Sequence, residues 1–322
     1  MTYGRQYARS GDIFASIDDV IQFGITRAVS DSDDERELTP VELQREASWD
    51  LLCSRIPKFR SEMVALADRR NLRRRVARKI GEGIHNVRAE DASSLKTVIL
   101  DYLLLDTKAQ LNPLIKRKGK KADRGFQHPV TATLLCPLKY DATQRTYSDI
   151  LAGKKSLTAY DFPRFLYPDG HVYNPDDMEA GILHGHLLIR VAKHIFQGPT
   201  AALERPGYHR GRRGNAALMG LITMTPRAIA YVAVQTRFAI SAVDTWAPVE
   251  GNFDYNAFFW AIVGLFDDGE GEDVIKLYNE HVFGPTSATE GEADADGPPE
   301  DSDLARLKAQ RQAKRARVDG AL

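Results

Sequence analysis

The feature that most constrains the fold is the helical pattern that begins at Thr225-Pro226 and runs to Val243. Threonine can cap the first turn and proline fits the first helical position, so the start of this helix is clear. Apolar residues then occupy nearly every side, and such a helix is stable only when other elements surround it. The pattern predicts a central core helix, and hence a mainly α protein with a single irregular multi-helix domain.

A second patterned helix precedes it in the sequence. Asn174-Pro175, followed by acidic residues, predicts its start, and Gly198-Pro199 predicts its end. Apolar residues between Ile182 and Phe196 form a stripe that is predicted to face the core. A glycine-rich basic loop, ArgProGlyTyrHisArgGlyArgArgGlyAsn at 205–215, joins the two helices. Another face of the earlier helix is basic and contains His186, Arg190 and Lys193.

The helical domain is predicted to span residues 39–283. It opens with Thr39-Pro40-Val41-Glu42, in which threonine and glutamate form a capping box. Further helices are predicted from about residue 58 to Gly81-Glu82-Gly83, and over residues 94–111. Between Asn112 and Tyr173 prolines and aromatic residues replace helical periodicity. This insert is predicted to contain one or two short strands, with Val130–Leu135 as the candidate.

Both ends of the chain are predicted to be at least partly disordered. Residues 1–38 are predicted to be a partly disordered N-terminal arm that ends in an acidic run. Residues 284–322 contain few large apolar side chains, so they cannot bury enough surface to offset the entropy lost on ordering. They are predicted to form a disordered tail that is first acidic and then basic.

Equal numbers of basic and acidic residues, 44 each in 322, conceal a segregation of charge along the sequence. Separate clusters create local fields that select partners even when the net charge is zero. Two cysteines are too few for a disulfide framework, and the amino terminus lacks the apolar stretch of a signal peptide. No apolar run reaches the ~20 residues that cross a bilayer. The expectation is an intracellular protein without a membrane role.

Several separated motifs resemble one protein family. They are ArgGlyPheGlnHisProValThrAla with LeuLeuCysPro at 124–137, LysHisIlePhe at 193–196, ArgGlyAsnAla at 213–216, and ThrProArgAlaIleAlaTyrValAla with GlnThrArgPheAlaIleSer at 225–241. The family is an uncharacterised, lineage-expanded group from mushroom-forming (basidiomycete) fungi, and the resemblance covers about residues 95–283. It implies one domain and an intracellular fungal origin, and it assigns no activity, cofactor or catalytic residue.

Sequence templates for common catalytic and metal sites do not fit. LeuAlaGlyLysLysSer at 151–156 lacks the first glycine of a phosphate-binding loop, and residues 267–273 lack the ligand order of a calcium loop. His184, His186 and His194 are not spaced to converge on zinc with a fourth ligand. The sequence favours a non-catalytic protein with no cofactor or metal, and it leaves open an enzyme of unrecognised type whose carboxylates come from distant positions.

The candidate binding site is the basic loop together with the basic face of the preceding helix. Arginine side chains pair with phosphate oxygens, and Tyr208 and His209 can stack on bases. The leading hypothesis is a nuclear, nucleic-acid- or chromatin-associated accessory protein. Its candidate nucleic-acid-binding residues are Arg190, Lys193, Arg205, Arg210, Arg212 and Arg213.

Two further basic segments bear on this hypothesis. Residues 69–79 place seven cations around a helix, because consecutive residues diverge by ~100°. Lys314–Arg317 has the composition of a nuclear import signal. Clustering of residues 69–79 and 186–213 on one face would favour a DNA or RNA partner.

The same charged segments allow other interpretations. The basic segments can be a solvated surface, or their arginines can pair with acidic segments of the same chain. The main alternative function is a non-catalytic protein-interaction module whose charged patches or tail bind other proteins. Ion pairing of the arginines would favour it.

Overall fold

A computed structural model describes residues 2–29, 37–204, 216 and 221–284. Two short strands, β1 (Val249–Glu250) and β2 (Phe253–Asp254), pair antiparallel. The α-helices are α1 (Thr2–Ala8), α2 (Ile17–Val29), α3 (Pro40–Arg55), α4 (Phe59–Ala65), α5 (Arg70–Tyr102), α6 (Pro129–Leu135), α7 (Gln144–Leu151), α8 (His186–Phe196), α9 (Pro226–Ile240), α10 (Tyr255–Val263) and α11 (Glu272–Phe283). The predicted mainly α fold is confirmed. In the described ranges, no helix is both long and apolar enough to span a bilayer.

α9 lies at the centre of the hydrophobic core. The Thr225 hydroxyl accepts a hydrogen bond from the Ala228 amide at 3.2 Å, and proline occupies the first turn. Every residue from Ala228 to Ile240 is buried, and α5, α8 and α10 pack around the helix. The prediction of a central core helix is confirmed, because an apolar helix gains free energy from being covered on all sides.

The predicted start of α3 is also confirmed. The Thr39 hydroxyl accepts a hydrogen bond from the Glu42 amide, and the Glu42 carboxylate accepts one from the Thr39 amide at 3.0 Å. This reciprocal capping box satisfies backbone donors that the first helical turn leaves without partners.

α8 is shorter than its sequence pattern predicts, and the predicted start at Asn174 is wrong. The Asn174 side chain accepts a hydrogen bond from the Asp176 amide in a local turn instead of capping a helix. Leu183 then adopts a φ of 63°, which an α-helix cannot contain. The helix therefore begins at His186, whereas its predicted end before Gly198 is confirmed.

Residues 129–135 form α6, and the expectation of a short strand there is wrong. His128 caps this helix, because its Nδ1 accepts a hydrogen bond from the Val130 amide at 3.2 Å. Pro129 occupies the first helical position. A short buried apolar run does not distinguish strand from helix by periodicity, so only the packed structure decides.

α5 is one continuous helix of 33 residues, where the sequence predicts two. Gly81 and Gly83 lower its intrinsic stability, but tertiary packing outweighs that cost. A Cβ at Gly4 of α1 would lie 3.1 Å from the Gly83 Cα, so the two helices meet closely at glycine positions. α5 ends at Tyr102 and does not reach residue 111.

The predicted N-terminal arm contains two helices that belong to the core. α1 packs on α5, and α2 packs on α3, α4 and α5. A Cβ at Gly24 of α2 would lie 2.0 Å from the indole ring of Trp49, which shows how closely α2 approaches α3. Residues 2–29 thus share one hydrophobic core with the described residues of the predicted domain 39–283. Residues 31–36 of the predicted acidic run at 31–37, and the predicted tail after Gly284, lie outside the described residues.

Candidate functional site

The amino-terminal half of α5 carries an exposed cluster of cations, which we call the α5 basic row. The positive end of the helix dipole lies at the same place, and the first turn contains no acidic residue. Arg73 is an exception among these cations, because it is 8% exposed and donates to Gln22 Oε1 at 2.5 Å. The exposed members of the α5 basic row are Arg69, Arg70, Arg74, Arg75, Arg78 and Lys79.

Three members of the α5 basic row face carboxylates on the surface. Arg74 Nε lies 3.3 Å from Asp18 Oδ2, Lys79 Nζ lies 2.8 Å from Glu82 Oε2, and Arg78 lies 4.0 Å from the same glutamate. Exposed pairs of this kind contribute little to stability and break readily when a stronger anion approaches. The members that form no ion pair within the described residues are Arg69, Arg70 and Arg75.

Arg190 lies at the opposite end of α5 from this row. Its Nη1 donates to the carbonyls of Tyr102 and Leu104 at 2.8 and 2.5 Å, and its Nη2 donates to the carbonyl of Leu105 at 2.8 Å. Arg190 therefore caps the carboxyl end of α5, where carbonyls lack helical partners and attract cations. At 1.5 Å per residue the ends of α5 are about 48 Å apart, so Arg190 and residues 69–79 do not cluster.

Lys193 is also engaged by the backbone. It is 4% exposed, and its Nζ donates to the carbonyl of Glu204 at 2.6 Å. Glu204 follows the 3₁₀ turn Pro199–Leu203, so Lys193 fixes the end of that turn. The predicted site residues Arg205, Arg210, Arg212 and Arg213 lie outside the described residues. Phosphate binding by all six residues remains a prediction.

Two buried cations cap the carboxyl end of α9 in the same way. Lys121 Nζ donates to the Phe238 carbonyl at 2.5 Å, and Arg124 Nη1 donates to the Ala239 carbonyl at 2.8 Å. These cations are 2% and 1% exposed. They belong to the basic segment 116–124, where the sequence contains no local signal that separates a buried cation from an exposed one. The α9 carbonyls that they cap are more than a hundred residues away.

Burial makes the protonated form of Lys121 less stable. Burial, followed by repulsion from the nearby Arg124 guanidinium, lowers the pKa of Lys121 to about 7. Asp244 and Glu250 oppose this shift without cancelling it. Near neutral pH Lys121 is therefore only partly protonated, and the positive charge at this end of α9 comes mainly from Arg124.

A cavity of about 350 Å³ opens beside this region, and we call it the Arg237 cavity. Arg237 is 3% exposed, and its Nη1 donates to Glu250 Oε2 and to the Tyr255 hydroxyl, both at 2.7 Å. Its guanidinium carbon lies 3.4 Å from the centroid of the Phe253 ring. Polar and charged side chains that line the cavity include Gln127, Lys155, Arg237, Ser241, Glu250 and Asn252.

A larger cavity, of about 600 Å³, lies between α6 and the segment 164–173. Two histidines line it and both have structural contacts. His171 stacks on Tyr167 with ring centroids 5.1 Å apart, and His186 Nε2 lies 3.1 Å from the Leu103 carbonyl. Nowhere in the described ranges do three or more histidine, cysteine or carboxylate side chains converge as metal ligands.

His194 forms a hydroxyl–imidazole contact that sequence reasoning did not find. Its Nε2 lies 2.9 Å from Ser94 Oγ, and its Nδ1 lies 3.1 Å from the Tyr102 hydroxyl. Burial lowers the pKa of His194, so the neutral ring bonds to both hydroxyls. The tyrosine occupies the position where a catalytic triad has an orienting carboxylate. These contacts join α5 to α8.

The fold and these contacts define a mainly α protein with buried cations at its helix ends and an exposed basic row on its longest described helix. The chain belongs to a family of unknown function, DUF6698, whose profile matches residues 82–283. The predicted membership of an uncharacterised family is thereby confirmed. Comparisons with curated proteins and with solved structures gave no match. The family region includes the Arg237 cavity, and the α5 basic row precedes it.

Proposed function

We propose that this protein is a nucleic-acid-associated accessory protein that binds phosphates through the α5 basic row. Guanidinium groups donate paired hydrogen bonds to phosphate oxygens, and the positive end of α5 adds to their field. The observation that supports the proposal is a group of exposed arginines without ion pairs among the described residues, namely Arg69, Arg70 and Arg75.

The arrangement favours binding that does not depend on base sequence. Residues four apart on a helix are about 6 Å apart along its axis, so Arg70, Arg74 and Arg78 present charge along one side of α5. Phosphate contacts of this kind position a protein and carry no sequence information. We therefore expect salt-dependent binding to DNA and RNA of mixed sequence.

The six residues that the sequence suggests as phosphate contacts divide into two groups. Arg190 and Lys193 use their donors on backbone carbonyls, and we assign them structural roles. Arg205, Arg210, Arg212 and Arg213 remain in the proposal as a second phosphate-binding segment.

The test is binding of the full chain to labelled double-stranded DNA and single-stranded RNA over a salt series. The variant is Arg70→Gln with Arg75→Gln. Each phosphate contact contributes about 0.9 to the slope of log K against log salt on duplex DNA, and about 0.7 on single strands. Losing two contacts should make the slope shallower by about 1 to 2.

The matched control removes two exposed cations elsewhere, by Arg145→Gln with Lys276→Gln. It should leave the slope close to that of the unmodified protein. Equal slopes for both double variants would contradict a role for the α5 basic row. Absence of binding at low salt by the folded chain would favour the protein-interaction alternative, which the ion pairs of Arg74 and Lys79 support.

Nuclear location is part of the same proposal, together with an origin in mushroom-forming fungi that the motif resemblance supports. The basic segment Lys314–Arg317 has the composition of an import signal. A fluorescent fusion of the full chain is expected to concentrate in the nucleus. Replacing Lys314, Arg315 and Arg317 by alanine should spread it through the cell. Exclusion of the unmodified fusion from the nucleus would contradict this part.

A further inference from the structure

The Arg237 cavity has more positive than negative charge around it. Among its lining residues, Arg237 and Lys155 are cations, whereas Glu250 is the one carboxylate. Lys121 and Arg124 add two buried basic side chains at the adjoining end of α9, and Asp244 adds one carboxylate. The α9 carbonyls that Lys121 and Arg124 contact carry partial negative charge, which offsets part of the excess of positive charge. Because burial and Arg124 lower the pKa of Lys121 to about 7, Lys121 carries only part of a positive charge near neutral pH.

Arg237 has hydrogen-bond donors left for a ligand. A guanidinium group carries five N–H bonds, two of them on Nη1. Within the described part of the chain, both hydrogen bonds of Arg237 use Nη1, towards Glu250 and Tyr255. Nη2 and Nε form no hydrogen bond within the described residues, and the side chain lines the cavity. Because Glu250 and the Phe253 ring hold the guanidinium in place, these donors are preorganised.

The cavity also has the size and walls of a small-molecule site. Its volume of about 350 Å³ is near the lower end of the range for such sites. Phe126, Leu135 and Leu157 form apolar walls, and Gln127 and Asn252 place amides at the rim. This combination suits a small organic anion whose charged end reaches Arg237 and whose apolar part lies against the walls.

We propose that the Arg237 cavity binds the phosphate monoester of a small organic molecule, with Arg237 as the main oxyanion contact and Lys155 as the second. The excess of positive charge favours a phosphate dianion over a carboxylate. The site is separate from the α5 basic row, and it does not depend on nucleic-acid binding. Two of the motifs that carry the family resemblance, at 124–137 and 225–241, meet at this cavity.

The test is calorimetric titration of the full chain with phenyl phosphate, with inorganic phosphate and benzoate as comparison ligands. Phenyl phosphate is expected to bind one site with a Kd of about 1 mM or lower. Inorganic phosphate lacks the apolar part and benzoate lacks the second charge, so both should bind more weakly. No saturable binding of phenyl phosphate by the folded chain would overturn the proposal.

Lys155→Gln and Lys154→Gln form a matched pair. Lys155 lines the cavity, whereas Lys154 is its exposed neighbour and is not among the lining residues. Removing Lys155 should weaken phenyl phosphate binding by about fivefold to tenfold, and removing Lys154 should change it little. Equal effects of the two variants would indicate general charge attraction and would overturn the assigned site.

Glu250→Gln should increase the affinity for phenyl phosphate, a result that a merely structural role of Glu250 cannot explain. Glutamine can still accept hydrogen bonds from Arg237 and Tyr255, but it no longer repels a phosphate. Phenyl phosphate binding should tighten by about threefold or more. Weaker binding in a folded Glu250→Gln protein would contradict the proposal.

The Arg70→Gln, Arg75→Gln variant should bind phenyl phosphate normally, which separates this site from the α5 basic row.

Discussion

At the scale of single residues, the buried cations explain why a basic sequence does not by itself identify a binding surface. Arg190, Lys121 and Arg124 all donate to carbonyls at or beyond helix carboxyl ends. These carbonyls have no helical partners, and the helix dipole makes them attractive to cations. In each case the charged group completes a helix end, and Lys121 and Arg124 are buried there.

Arg190→Gln should therefore destabilise the protein. It removes the charged hydrogen bonds to three carbonyls at the end of α5, and a hydrogen bond to a charged group contributes about 1.5–3 kcal/mol. Because Arg190 is partly exposed, we expect a total loss of about 2–3 kcal/mol in the free energy of unfolding. Urea denaturation followed by circular dichroism measures this loss.

The controls for Arg190 separate its structural role from phosphate binding. Arg190→Lys keeps a cation near the carbonyls but loses the planar fork, so it should have an intermediate stability. Nucleic-acid binding, measured on the folded fraction, should be unchanged in both variants. If the stability of the Arg190 variants were unchanged and their nucleic-acid binding were weakened, Arg190 would be a phosphate contact and not a structural residue.

At the scale of elements, the sequence predicts helices well where local chemistry sets their ends. The capped starts of α9 and α3 depend on hydrogen bonds within four residues, and both are found where predicted. The start of α8 is wrong because Asn174 and the following residues satisfy the same local rules in turns. The continuity of α5 through Gly81 is missed because packing against α1 compensates for weak propensity.

The candidate sites also combine features that the sequence predicts with features that depend on tertiary packing. The cations of the α5 basic row are visible in the sequence, but which of them lack partners depends on carboxylates elsewhere, such as Asp18 of α2. The Arg237 cavity is not visible at all in the sequence. Arg237 lies in an apolar helix and meets Gln127 and Asn252 only through folding.

At the scale of the whole molecule, a buried polar network joins the N-terminal helices to the family region. Arg9, directly after α1, forms an ion pair with Asp91 of α5, with Nε donating to Oδ2 at 2.8 Å. The Tyr231 hydroxyl of α9 donates to the same oxygen at 2.7 Å, and Gln235 donates to Tyr231. Asp91 lies inside the span that the family profile matches, whereas Arg9 lies outside it.

Arg9→Met should strongly destabilise the protein, because it leaves the Asp91 carboxylate buried without its cation. Breaking one partner of a buried ion pair typically costs about 3–5 kcal/mol. Adding Asp91→Asn removes the unpaired charge and should restore part of the loss. Arg5→Met on α1 is the control, since the Arg5–Glu90 pair is exposed and contributes about 0–1 kcal/mol. Equal effects of Arg9→Met and Arg5→Met in urea denaturation would contradict the role of the network.

The sequence by itself determined that this chain is mainly helical, that α9 is its central helix, and that charge is segregated along it. Hydrophobic periodicity and capping chemistry act within a few residues, so they can be read locally. Only the tertiary structure decided which cations are buried, where α8 begins, that residues 2–29 join the core, and that Arg237 borders a cavity. The physical reason is that a buried charge takes its position from carbonyls and carboxylates distant in sequence.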